Sequence, residues 1–409
     1  MDNITQTNEF VTIIRAYTSD VSFWSKPVSV VITFVVVSTS CALSDLYQRR
    51  KPFMMMAVVG ELLSELCLFI CYWYEGCSLQ ILVATEVVSV LFGGQQLFWT
   101  MSWIFVIQNT HPENRTPRLL LLQASKNIIY TFCLWFSIDV DFTYLQVHTM
   151  ILTFFFLTVL YFVYVVKDER PEQELRWDTS VFKQILICSV IADGISHLKK
   201  ISAKKLFILV AGYLIFFAKN SWSDGEYSNV LATYIYGILA WPYEKVAHLI
   251  YCQHGSAAII MIIVSFISKK FQLDGYTILI FVYLNKVFGN VVIASVSNRV
   301  IIFIVSAISS VTTFYMETVL YVAIVSKMVS SGNIGKLQLL FRMNDMLEPL
   351  SLAISSFIFD ELLSDKHAPN TFLYIGAFIY LVCLVVATIL LWHKKQHSND
   401  VQVFSKPKS

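Results

Sequence analysis

The run TFLYIGAFIYLVCLVVATILLW, residues 371–392, carries no charged residue. As a helix rising about 1.5 Å per residue it covers roughly 30 Å, the depth of a bilayer's hydrocarbon core. Comparable apolar runs recur near 27–43, 53–73, 80–106, 119–139, 147–166, 204–222, 243–267, 276–296, 300–325 and 337–361. Segments of this length satisfy their backbone polar groups in lipid only as helices, because barrel strands would read as alternating stretches of about ten residues. The expected fold class is an all-α polytopic membrane protein with eleven transmembrane helices. The sixth can extend through NSWSDGE (220–226) to about residue 240 as one broken helix.

Composition supports this choice of solvent. Only 14% of the 409 residues are charged and 56% are hydrophobic, whereas a soluble chain is about a quarter charged. Residues 1–26 scatter Asp2, Glu9, Arg15, Asp20 and Lys26 among short apolar pieces, so no cleavable leader is expected there. Cysteines fall mostly inside the apolar runs, and the Cys67/Cys71 pair has no second pair or histidine to complete a metal site. No disulfide, metal or cofactor is expected, and nothing suggests nucleic-acid binding.

The cations orient the chain. With 44–52 on the cytosolic side, alternate loops and the tail hold twenty-one of the 30 Lys and Arg, while the opposite loops hold Arg15, Lys26, Arg299 and Lys366. This asymmetry predicts an outside N-terminus and a cytoplasmic C-terminus. Asn3-Ile4-Thr5 is then an outside glycosylation acceptor, while Asn114-Arg115-Thr116 has the same pattern on the cytosolic side and is discounted. Five spans precede the polar segment 167–203 and six follow it. The expected organisation is an extracellular segment 1–26, helices 27–166, a cytoplasmic linker 167–203, helices 204–392 and a cytoplasmic tail 393–409. Within the linker, VFKQILICSVIADGI is amphipathic and reads as a tethered linker helix or a helix lying on the inner membrane surface.

Four stretches carry a family likeness. Asp45 followed by Arg49 and Arg50 in the first cytosolic loop resembles the loop signature of the major facilitator superfamily, with Cys41 and Gln48 where glycines are usual. ENRTPRLLLLQAS (113–125) and SKMVSSGNIGKLQLL (326–340), with CQHGSA (252–257), are similar to the proton-coupled folate transporter family of solute carriers. The resemblance runs from about residue 27 to 395. It implies two helical bundles (5 + 6 helices here) around a central cavity, joined by 167–203 and alternating between outward-open and inward-open forms. The eleven spans correspond to the family's helices 2 to 12, so the chain reads as lacking a counterpart of the first. The likeness also implies a gate at Asp45, Arg49 and Arg50. The alternative for Asp45 is a local i, i+4 charge balance with Arg49. Proton-coupled members carry acidic residues where this chain has Gln108 and Gln123, and a family arginine aligns with Val322. Glutamine does not titrate, which argues against the family's proton relay here.

Charges within spans are costly, at least about 2.5 kcal/mol each on insertion scales, and those retained face protein or water. Lys126, Glu317 and Arg342 lie on spans that the resemblance places at the cavity, and with Gln123 and Trp99 they are the candidate solute-binding residues. Each has a structural alternative, among them an Arg342–Asp345 pair on one helix face, or Trp99 and Trp103 as packing or interfacial aromatics. Glu61, Glu65, Lys286, His248 and His254 read first as structural.

The function expected is a secondary transporter moving a small organic solute, an organic anion given Lys126 and Arg342, by alternating access. Protons or another ion are the candidate coupling partners. The alternative is a non-transporting receptor or scaffold, or a truncated inactive paralogue on the same fold. An enzyme is not expected, since no HExxH, GxSxG or Walker pattern occurs. The plasma membrane is the expected address, with an endolysosomal membrane as the alternative.

Overall fold

A computed structural model describes residues 28–47, 49–73, 79–139, 143–167, 241–296, 298–309, 316–327 and 370–404. The spans expected at 204–222 and 337–361, the segment 1–26 and nearly all of the linker lie outside these residues. Within them the chain is helical without strands, and eight helical stretches are long and apolar enough to cross a membrane, one of them Val87–Gln108, which continues across the Gly93–Gly94 turn.

The helices are α1 (Val28–Tyr47), α2 (Lys51–Trp73), α3 (Leu79–Leu91), α4 (Gly94–Gln108), α5 (Arg115–Asp139), α6 (Tyr144–Tyr164), α7 (Tyr243–Phe271), α8 (Gly275–Ser295), α9 (Arg299–Ser309), α10 (Met316–Ser326) and α11 (Thr371–Phe404). Local chemistry sets several boundaries. Thr143 and Gln146 form a reciprocal capping box at the start of α6, and Asp274 accepts from the Tyr276 N–H at the start of α8. Helix α7 ends at Gln272 in the left-handed conformation, with Lys269 and Lys270 in the last turn, where the helix dipole favours cations.

The span expected over 80–106 is two helices. Gly93 (φ 86°) and Gly94 (φ 51°) turn the chain between α3 and α4 through left-handed backbone angles that favour glycine. Gly60 permits a close approach beside this break, because a Cβ there would lie 2.3 Å from Phe92 Cβ. The span expected over 300–325 contains two short helices, α9 and α10, with 310–315 outside the described residues.

The chain divides into two compact units. In the first, α2 packs on α3 and α6. Met54 and Met101 receive the Ser102 and Ser44 hydroxyls, and Ser64 donates to the Thr85 carbonyl at 2.8 Å. Lys51 closes the end of α6, its Nζ donating to the carbonyls of Val163 (3.2 Å) and Val166 (2.7 Å). In the second unit α5 packs on α7 and α10, α7 on α9, and α8 on α9, α10 and α11. Asn370 Nδ2 donates to the Ala294 carbonyl at 2.7 Å, fastening the start of α11 to the end of α8.

Large apolar side chains remain uncovered along these helices. On α6 Phe154 is 64% exposed, and Phe156, Leu157 and Tyr161 are exposed beside it; Phe281 and Phe288 on α8 and Phe378 on α11 are exposed in the same way. Leaving such side chains in water forfeits about 1.5–3 kcal/mol apiece, so the medium against these faces is lipid.

Candidate functional site

Two groups of polar residues stand out. The first lies where α1 gives way to α2. Arg50 Nη2 donates to Asp45 Oδ1 at 2.6 Å, with both side chains buried, and Nη1 bonds the Ser44 hydroxyl. Arg49 is exposed. The i, i+4 pairing fails for a local reason: α1 ends at Tyr47, so helical spacing no longer governs residues 49 and 50. The non-helical step turns Arg50 inward. A buried pair of this kind adds little net stability, but losing one member leaves a charge stranded in apolar surroundings.

The second group runs along α5. At its foot Arg115 is buried, and its Nη1 donates to the Ser326 carbonyl at the end of α10 (2.5 Å) while Nε donates to the Thr110 carbonyl (3.3 Å). Arg118 donates to the Asn109 carbonyl and the Thr110 hydroxyl. Arg115 was legible in the sequence only as an orienting cation. A cation in the first turn of a helix sits against the positive end of the dipole, and that mismatch is the signal that it serves another element's carbonyl terminus.

Higher on α5 the helix meets α7 through small residues. Ser265 donates to the Pro117 carbonyl at 2.9 Å, Ala124, Ala257 and Ala258 are buried, and a Cβ at Gly255 would lie 3.4 Å from Thr131 Cγ2. Within this seam Gln123 is 1% exposed, and neither its amide oxygen nor its nitrogen has a hydrogen-bond partner. One turn on, Asn127 Nδ2 reaches Met261 Sδ at 3.7 Å, a weak acceptor. Tyr130 stacks on His254 of α7 with ring centroids 5.0 Å apart, and half-buried Lys126 acts electrostatically on the same imidazole. Gln253 turns to the other side and donates to Ser306 of α9 at 2.9 Å.

The structure therefore brings Lys126 and Gln123 onto one stretch of α5, alongside Asn127, Tyr130 and His254, which sequence reasoning did not assign to a site. Glu317 lies on another helix of the same unit. It is fully buried on α10 and interacts electrostatically with Tyr283 of α8 and Tyr321 of its own helix. Lys286 on α8 lies over the Tyr380 ring of α11, 5.7 Å from its centroid. Trp99 is half-buried and packs edge-to-face on Phe98 at 5.4 Å, while Trp103 is buried. Arg342 and Asn3 lie outside the described residues. Among the described residues no cluster of three His, Cys, Asp or Glu side chains is arranged to hold a metal ion.

Solved structures share this fold. The human organic anion transporter MFSD10 (TETRAN) superposes with a TM-score of 0.68 at 14% identity, over 89% of this chain and 82% of that one. The Escherichia coli fucose:proton symporter FucP, a major facilitator superfamily transporter, gives 0.61 at 11% identity over 90% and 91%. A bacterial homologue of the iron transporter ferroportin, in an outward-facing state, gives 0.61 at 13% over 91% and 90%. No family model and no curated protein sequence matches the chain. The fold is that of major facilitator transporters, and the chain is an integral membrane protein.

Proposed function

We propose that this chain is a secondary transporter of a small organic anion that works by alternating access. The observation that carries the reading is the polar stretch on α5: a buried glutamine with both amide atoms unpartnered, next to a half-buried lysine, in a seam of small residues. Burying polar groups without partners costs about 1–3 kcal/mol, so such groups point to a state in which they are solvated or bound to solute. The shared fold with a structure described as an organic anion transporter supports the same solute class.

In this reading the bundles are 27–166 and 204–392, joined by 167–203, with the N-terminus outside and the C-terminus in the cytosol of a plasma-membrane protein. The folate-transporter-like motifs are the finer family reading. Movement runs along α5, where it meets α7 and α10. Arg115 on the Ser326 carbonyl holds the cytosolic end, and the Asp45–Arg50 pair with Ser44 fixes the α1–α2 turn. Lys126 attracts the anion, and Gln123 bonds its polar edge. Gln108 and Gln123 take no proton, so the family's relay is not the source of coupling.

Charge removal at Lys126 tests this. Lys126→Gln in purified protein reconstituted into liposomes is expected to lower uptake of organic anions roughly tenfold, the effect of losing about 1.4 kcal/mol of binding to one charge. Uptake of a transported anion unchanged in Lys126→Gln would remove Lys126 from the site.

A further inference from the structure

Gln123 belongs to a longer pattern. Thr116, Gln123 and Asn127 are spaced i, i+7 and i+11, which places them on one face of a 3.6-residue helix. All three are buried, Thr116 at 1% exposure and Asn127 at 2%. On this face the Asn127 amide meets Met261 of α7, and around the foot of the same helix the Pro117 carbonyl accepts from Ser265 of α7 while Arg115 donates to the Ser326 carbonyl of α10. The Thr116 hydroxyl, like both amide atoms of Gln123, has no hydrogen-bond partner. Asn127 has the methionine sulfur at 3.7 Å. The Leu119, Leu120 and Ala124 side chains that share the buried surface are apolar, so nothing local requires polarity at 116, 123 and 127.

A ladder of hydrogen-bonding side chains packed dry against a neighbouring helix weakens the closed arrangement of that seam. Its donors and acceptors gain bonds only when the seam parts. We propose that Thr116, Gln123 and Asn127 form a polar track, hydrated when α5 separates from α7 and α10, along which the uncharged hydrogen-bonding edge of the solute is read. Thr116 and Asn127 thereby join Gln123 as specificity-determining positions, and the dry ladder biases the seam toward opening. Assigning the track to solute rests on the transporter reading; the bias toward opening does not.

The two parts separate experimentally. Gln123→Met keeps the shape of the side chain and removes the orphaned amide, and Thr116→Val does the same for the hydroxyl. Replacing an unpartnered buried polar group by an apolar group of like shape is neutral or stabilising, whereas replacing a bonded one destabilises. In the full-length protein in lipid nanodiscs, Gln123→Met is expected to raise the unfolding midpoint by about 2–4 °C. Hydrogen exchange of α5 and α7 amides is expected to slow roughly tenfold, because opening no longer relieves a dry amide. Thr116→Val is expected to move both readouts the same way by less. A fall in midpoint in both variants would show that these groups are bonded in the closed seam. Unchanged exchange would show that the ladder does not bias opening. Either result overturns the proposal without bearing on uptake. Loss of uptake selectivity in Asn127→Leu, with a raised midpoint, is the result expected if the track reads solute; unaltered selectivity removes it from the solute path.

Discussion

Residue pairings in this chain are set by where helices stop. Asp45 is followed four residues later by Arg49, the spacing of a helical ion pair, yet the helix has ended and Arg50 is the residue buried against Asp45 and Ser44. Asp45→Ala therefore leaves a buried guanidinium uncompensated and is expected to cost about 3–5 kcal/mol. Arg49→Ala, at an exposed position, is expected to change stability by at most about 0.5 kcal/mol. Denaturant or thermal unfolding of the two variants distinguishes the pairs, and equal losses would contradict the assignment. Lys126 and Gln123 were legible as candidates because a charge and an amide are conspicuous within an apolar run. Thr116, Asn127 and Tyr130 were not, since single uncharged polar or aromatic residues are ordinary in membrane helices. Only their shared face on α5, and what packs against it, distinguishes them. Glu317 is a conspicuous charge that was equally legible, and its surroundings include Tyr283 of α8 and Tyr321 of α10.

Elements were legible by length and hydropathy, and their interruptions were less so. The run over 80–106 reads as one span by length, and it is interrupted at Gly93-Gly94-Gln95-Gln96, where Gly93 and Gly94 adopt positive φ and split it. Gly93→Ala meets both a strained backbone and Leu97 Cβ at 2.6 Å, and is expected to destabilise by about 1–3 kcal/mol. Gly255→Ala, inside α7, places its methyl at ordinary contact distance from Thr131 and is expected to gain about 0.5–1 kcal/mol of helix propensity. Opposite signs for the two substitutions in thermal unfolding are the expected outcome; two losses of similar size would contradict the account of the break. Cations at helix ends follow a related logic. Lys51 and Arg115, read from sequence as markers of the cytosolic side, each donate to the carbonyl terminus of a different helix. Orientation signals and packing contacts are here the same residues, and only the tertiary arrangement reveals the second role.

At the scale of the whole molecule, apolar run length determined the solvent, and the fold of major facilitator transporters followed from the arrangement of helices. The grouping of α5 with α7 and α10 was not legible, because an apolar seam between membrane helices lacks the polar–apolar contrast that marks a buried face in a water-soluble protein. That grouping sets Lys126 and Tyr130 against His254 on the helix that also carries the unpartnered amide of Gln123, and so turns isolated polar residues into a candidate solute path. The most direct test of transport is solute counterflow in liposomes reconstituted with the purified chain. The solutes are folates, cyclic dinucleotides and muropeptides, each at about pH 5.5 and 7.4. Saturable counterflow of at least one of these organic anions, of similar rate at both pH values, is the predicted result. Folded protein that exchanges none of them would contradict the transporter reading and leave the chain a non-transporting protein on a transporter fold.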